Sequence, residues 1–210
     1  MTWIEDLLEE KNLWRIFLRS PRFWKTRFNA VVIAITFLAL AAFACLHWVV
    51  PPWAGFLTRF SLHDALLAWS NVGFTYTATM LAFLLAGFTV FSTITKPALF
   101  AELAQVQHPN SSLTELKFIF FVFMNVFIHY LAFMILCAVI LLFGTPNGPL
   151  VLLGSLLKKF SVGTFDILQH TFFVLFGTWF IALLLKLKSF VYSLYSMILV
   201  VIVNEGREAK

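Results

Sequence analysis

FIFFVFMNVFIHYLAFMILCAVILLF, residues Phe118–Phe143, contains no Asp, Glu, Lys or Arg, and its reading decides the fold. At about 1.5 Å rise per residue, a helix of this length exceeds the roughly 30 Å hydrocarbon thickness of a bilayer. Three further uncharged apolar stretches repeat the pattern at Asn29–Val50, Val72–Ile94 and Ile167–Leu185. Backbone groups in lipid must find partners within the segment, so each stretch is expected to be a helix. The alternating ten-residue strands of a membrane barrel are absent from the sequence. The expected fold is all-α: a polytopic membrane protein with four transmembrane helices and cytoplasmic or interfacial helices at both ends. Its parts are a basic amphipathic arm (1–28), the four-helix domain (29–185) and a cytoplasmic helical tail (186–210).

Composition agrees. Of 210 residues, 61% are apolar and 12% charged, against about 45–50% and about 25% in soluble domains. That excludes an ordinary globular domain, a disordered segment and a nucleic-acid-binding module. Two cysteines, both in apolar runs, exclude a disulfide framework and CxxC-type sites.

The net charge of +5 matters through its placement. Lys11, Arg15, Arg19, Arg22, Lys25 and Arg27 precede the first stretch. Lys96 and Lys117 lie in the second connection, and Lys186, Lys188, Arg207 and Lys210 in the tail. The first and third connections carry only Arg59, Lys158 and Lys159. This bias puts both termini and the middle connection in the cytoplasm, across the inner membrane. Arg15, Arg19, Arg22, Lys25 and Arg27 are expected to meet anionic lipid of the inner leaflet. Ala42-Phe43-Ala44-Cys45 loosely resembles a cleavage site, but the apolar run outlasts a secretory core of about 7–15 residues, reaching Pro51-Pro52. Ala42 also stands where a lipobox has Leu, so the first span is expected to stay in the mature protein.

The connections carry helix signals. Thr2 and Glu5 form a capping box ahead of an interfacial helix over residues 3–19. Ser61 and Asp64 form a second box, opening a helix that either turns at Asn71–Gly73 or runs into the second span. Lys96-Pro97 is expected to start a cytoplasmic helix with Leu99, Phe100, Leu103 and Val106 on its apolar face. Ser112 and Glu115 cap the third span. After the turn Thr145–Pro149, the apolar patch Leu150–Leu157 is too short to span. The fourth span is expected to continue as a helix through Ser189–Val203, outside the membrane.

Sites for chemistry are sparse. No Gly-x-Ser-x-Gly, His-Glu-x-x-His, P-loop or dinucleotide fingerprint occurs, and no catalytic residue, metal ligand or cofactor is assigned. The uncharged stretches offer none of the buried ionisable groups that proton-coupled transporters use. Paired histidines can hold haem in a four-helix bundle, but His47 and His170 sit near span ends. His129 alone is deep, with no partner at equal depth, so it is expected to be hydrogen-bonded across helices and not to hold haem or a metal. Two features are more informative. Thr75, Thr79, Ala82, Ala86, Thr89 and Thr93, spaced by four and three, form one small-residue seam. Such a seam either packs helices closely or, in a ring of subunits, faces a pathway. Asn125 and His129, four apart, are the most polar deep side chains and must meet another helix or water.

The stretch Leu84–Phe91, the Lys96–Val106 segment, the capped Phe-rich span and the fourth span ending at Lys186 and Lys188 form a familiar layout. Over about Val72–Val203 the chain resembles small four-span bacterial membrane proteins of anti-phage defence systems, either pore-forming effectors or Kiwa-like membrane sensor subunits. The resemblance lies in layout and hydropathy and transfers no functional residue. With no catalytic motif in the sequence, a non-enzymatic protein is expected. The expected function is a homo-oligomeric inner-membrane channel or pore of about three to five copies by cyclic closure, with antiviral defence as its setting. The competing functions are a membrane-anchored scaffold that recruits a cytosolic protein and an electron-transfer subunit. Lipid is the expected partner, and nucleic acid is not.

The expected topology is directly testable. A reporter fused after Lys210 should give the cytoplasmic signal, and one inserted near Gly148 the opposite. A periplasmic signal after Lys210 would mean that Ser189–Val203 crosses the membrane.

Overall fold

In a computed structural model, residues 27–49, 61–94, 100–101, 103–107, 113–146, 148–160 and 162–208 are described. They form five helices: α1 (Arg27–Val49), α2 (Leu62–Ile94), α3 (Glu115–Phe143), α4 (Pro149–Phe160) and α5 (Val162–Glu208). No strand occurs among the described residues; an isolated antiparallel bridge joins Gln107 to Thr114. Four helical segments are long and apolar enough to cross a membrane: Arg27–Val49, Leu62–Val90, Glu115–Phe143 and Asp166–Tyr192.

The helix boundaries have local causes. Ser61 caps α2: its Oγ accepts from the Asp64 N–H (3.2 Å) and its carbonyl from Ala65 (2.9 Å). Asn71–Gly73 does not interrupt the helix, so α2 is one element of 33 residues running directly into the second apolar stretch. α3 stops at Phe143, where Gly144 follows and its N–H reaches the Ile140 carbonyl (2.8 Å). Pro149 sits in the first turn of α4, where its missing N–H removes no bond. The 150–157 patch is thus part of a 12-residue helix. α5 has 47 residues, about 70 Å of helix, more than twice the thickness of a bilayer core.

Several expectations lie outside the described residues: the arm helix 3–19, Arg15, Arg19, Arg22, Lys25, Pro51-Pro52 and Ser112. Arg27 is exposed at the start of α1. In the second connection Phe100, Ala101 and Leu103 are helical, but Ala104–Val106 already turns. Leu103 and Ala104 bury against Leu116, with Phe100 and Phe120 beside them. Val106 is exposed and its carbonyl accepts from Glu115 (2.8 Å), so it closes the loop and does not extend an apolar helix face.

The described residues fall into two compact units. The first comprises α1, residues 62–79 of α2, residues 131–143 of α3, α4, and residues 162–184 of α5. Its core is a layer of rings around fully buried Phe133, whose centroid lies 4.9 Å from Phe176, 5.5 Å from Trp179 and 5.8 Å from Phe180. Small residues let the backbones close in. A Cβ on Gly73 would stand 3.0 Å from the Phe133 ring and 3.1 Å from Cys137 Sγ; one on Gly177 would stand 2.7 Å from Leu40. The second unit contains residues 80–94, 113–130 and 185–208 with the short connection between α2 and α3. There Phe88 stacks on Phe123 at 4.7 Å, Phe190 approaches Phe123 at 5.8 Å, and Leu84 and Tyr130 are fully buried.

These contacts separate two glycines of α2. Gly73→Leu should destabilise the protein by about 1–3 kcal/mol through overpacking. Gly87→Ala, where an added Cβ meets nothing within 4 Å, should be neutral or stabilising by up to about 1 kcal/mol through helix propensity. Detergent-solubilised unfolding curves of the two variants check the contrast.

Candidate functional site

The polar pair of α3 meets a cation. Lys186 of α5 is 6% exposed, and its Nζ donates to Asn125 Oδ1 at 2.6 Å. The same Nζ lies 3.0 Å from both ring nitrogens of His129. His129 Nδ1 is 2.7 Å from the Asn125 carbonyl oxygen. A carbonyl can only accept, so Nδ1 carries the proton and Nε2 is left as the ring acceptor. Asn125 thus serves twice, with its side-chain oxygen on Lys186 and its backbone oxygen on His129. An ammonium taken out of water needs such close acceptors, because an unmatched charge in an apolar interior is very costly.

Two cations that the sequence reading puts outside the apolar stretches are buried in the chain. By sequence the fourth stretch ends at Leu185, before the charged Lys186, which is expected in the cytoplasmic tail. Lys186 falls within the Asp166–Tyr192 segment that is long and apolar enough to cross a membrane, and it is buried in the chain. Lys117, assigned to a connection, is likewise buried within α3. The sequence held one signal for Lys186: two deep polar residues on one face of the third span required a partner, and Lys186 is the first cation beyond the fourth stretch.

The small-residue seam occupies a different surface. Thr75, Thr79, Ala82, Ala86, Thr89 and Thr93 are all exposed in the single chain. The hydroxyls fold back onto their own helix: Thr75 to the Asn71 carbonyl, Thr79 to Thr75, Thr89 to Leu85 and Thr93 to Thr89, at 2.9–3.1 Å. Intrachain packing uses another face of α2, formed by Ser70, Gly73, Thr77, Leu81 and Leu84. Both faces contain small residues, so composition did not distinguish them.

A second polar cluster lies in the first unit, where His47 Nδ1 and His170 Nε2 approach to 3.2 Å. A pocket of about 480 Å³ is lined there by His47, Ser61, His63, Asp166, Gln169 and His170, among others. Among the described residues, no group of three His, Cys, Asp or Glu side chains could hold a metal ion. Cys45 is exposed and Cys137 buried, both as free thiols.

Fold and clusters together define an all-helical chain with four helices fit to cross a membrane and a buried lysine bound by an amide and an imidazole. No family model, curated protein or solved structure matches the chain.

The lysine cluster predicts an asymmetry. Asn125→Val removes an acceptor and leaves the ammonium buried, at about 1–3 kcal/mol or more. Lys186→Met removes the charge itself and should cost less, since replacing a buried ionic group by an apolar one is often neutral. Thermal unfolding in detergent should rank Lys186→Met above Asn125→Val.

Proposed function

We propose that the chain is a multi-pass protein of the inner membrane that self-associates into a closed ring and forms a channel or pore. The carrying observation is the α2 face bearing Thr79, Ala82 and Ala86, exposed in the single chain and small enough for a second backbone to approach. Association of helices in lipid relies on such small faces, since the bilayer supplies no hydrophobic drive between them. Because the threonine hydroxyls are bonded to their own carbonyls, the face can meet either a neighbouring helix or a narrow pathway without leaving a donor stranded. In the second unit, the opposite side of α2 is anchored by Leu84 and by Phe88 on Phe123, which keeps Ala82, Ala86 and Thr89 turned outward.

The Asn125–His129–Lys186 cluster supports the same reading. Ionisable groups in membrane-spanning helices commonly mark ion or substrate pathways. Such an assembly, opened on a trigger, would let ions cross and depolarise the cell. Its layout resembles four-span proteins of anti-phage loci, which supports a role as a membrane-disrupting effector in antiviral defence.

Ion flux through liposomes containing the purified chain tests this function. Wild-type protein should conduct, alone or with products of neighbouring genes. Ala82→Leu and Ala86→Leu should each lower flux at least tenfold, by blocking the pathway or by breaking assembly. Flux and assembly unchanged in both variants would place this face against lipid and overturn the proposal. Absence of flux from an assembled wild-type ring would favour the scaffold that recruits a cytosolic partner.

A further inference from the structure

The pocket of the first unit carries an inference separate from the proposed pore. Its walls come from the last turn of α1, the first turn of α2 and the early part of α5, bringing together His47, His63 and His170. His47 and His170 are 123 positions apart in sequence, yet their ring nitrogens approach to 3.2 Å and their ring centroids to 5.4 Å.

Tautomer logic orients the pair. His170 Nδ1 lies 2.6 Å from the Asp166 backbone carbonyl, which can only accept, so the proton sits on Nδ1 and the lone pair on Nε2. Across the 3.2 Å gap, His47 Nδ1 then donates to His170 Nε2. An imidazole whose Nδ1–H is tied to a carbonyl and whose Nε2 lone pair faces a second imidazole has the orientation of a metal-ligating histidine. The gap fits as well. Two zinc–nitrogen bonds of about 2.0–2.1 Å at a tetrahedral angle set their nitrogens about 3.3 Å apart.

We infer that His47 and His170 form an open two-imidazole site for a divalent transition-metal ion of the zinc, cobalt or nickel class. Imidazole nitrogen selects these ions over calcium and magnesium, which take oxygen. No third His, Cys, Asp or Glu among the described residues completes a set, so pocket water fills the remaining positions and the ion exchanges freely. Binding changes no net protonation: His170 keeps its Nδ1–H on the Asp166 carbonyl, and His47 moves its proton from Nδ1 to Nε2 through pocket water. The direct imidazole–imidazole hydrogen bond is thereby replaced by two metal–nitrogen bonds. His47 and His170, which by sequence stand near span ends with no ligand assigned, thus take on a ligating role.

Cobalt(II) titration of the untagged, detergent-purified full chain at fixed pH, followed by visible absorption, tests the site. Wild-type protein should bind one cobalt per chain with saturable ligand-field bands, displaced by zinc but not by magnesium. His47→Gln and His170→Gln keep a hydrogen-bonding amide in place of each ring and should each weaken binding at least tenfold. Circular dichroism and elution volume should stay unchanged. His63→Gln should alter affinity less than threefold. The proposal is overturned by the absence of saturable bands in the wild type or by retention of wild-type affinity in both pair variants. Equal loss in His63→Gln also overturns it, because the ion would then have a different ligand set.

Discussion

Polar groups on long apolar helices have few places to go, and most of this architecture follows from that constraint. The helical backbone satisfies itself, and the hydroxyls follow suit. Thr36, Thr77, Thr178 and Ser189 each donate to a carbonyl four residues earlier, as the seam threonines do. Even the two histidines of α3 and α5 first bond to their own helix, His129 to the Asn125 carbonyl and His170 to that of Asp166. A side chain satisfied locally leaves the helix free to pack by shape alone. In the first unit that shape is set by close approach at Gly73 and Gly177 and by rings stacked around Phe133.

Local bonding is insufficient for an ammonium or for the second nitrogen of an imidazole, and there polar contacts pass between helices. Lys186 reaches Asn125 and His129 on α3, and His170 reaches His47 on α1. Each contact joins groups that would be costly to leave alone in an apolar interior. Each also fixes register, because a helix slipped by one residue would lose it. The first contact lies in the unit containing residues 80–130 and 185–208, the second in the unit of α1.

The helical class, the four apolar segments and the capped start of α2 could be read from sequence because they depend on local composition and on near neighbours such as Ser61 and Asp64. The lysine cluster could not, because Lys186 is separated by 61 positions from Asn125 and nothing local pairs them. A long stem allows an ammonium to stay within an apolar helix when acceptors come to it, and the acceptors were the unexplained polar pair. The exposed placement of the seam was equally hidden. Thr75, Thr79 and Ala82 look no more outward in sequence than Ser70, Gly73 and Thr77. Only the rings opposite Gly73 decide which small face is covered.

In the proposed function, the outward small face of α2 becomes the place where copies meet, while within the second unit the packing of Phe88 on Phe123 and the lysine cluster hold residues 80–94 against α3 and α5. Cysteine cross-linking in native membranes tests that claim most directly. Thr79→Cys or Ala86→Cys, in a chain whose Cys45 and Cys137 are replaced by Ala, should give a disulfide-linked dimer on mild oxidation. Leu38→Cys on the exposed side of α1 should remain monomeric. Seam variants that stay monomeric, or cross-link no more than Leu38→Cys, would contradict the account.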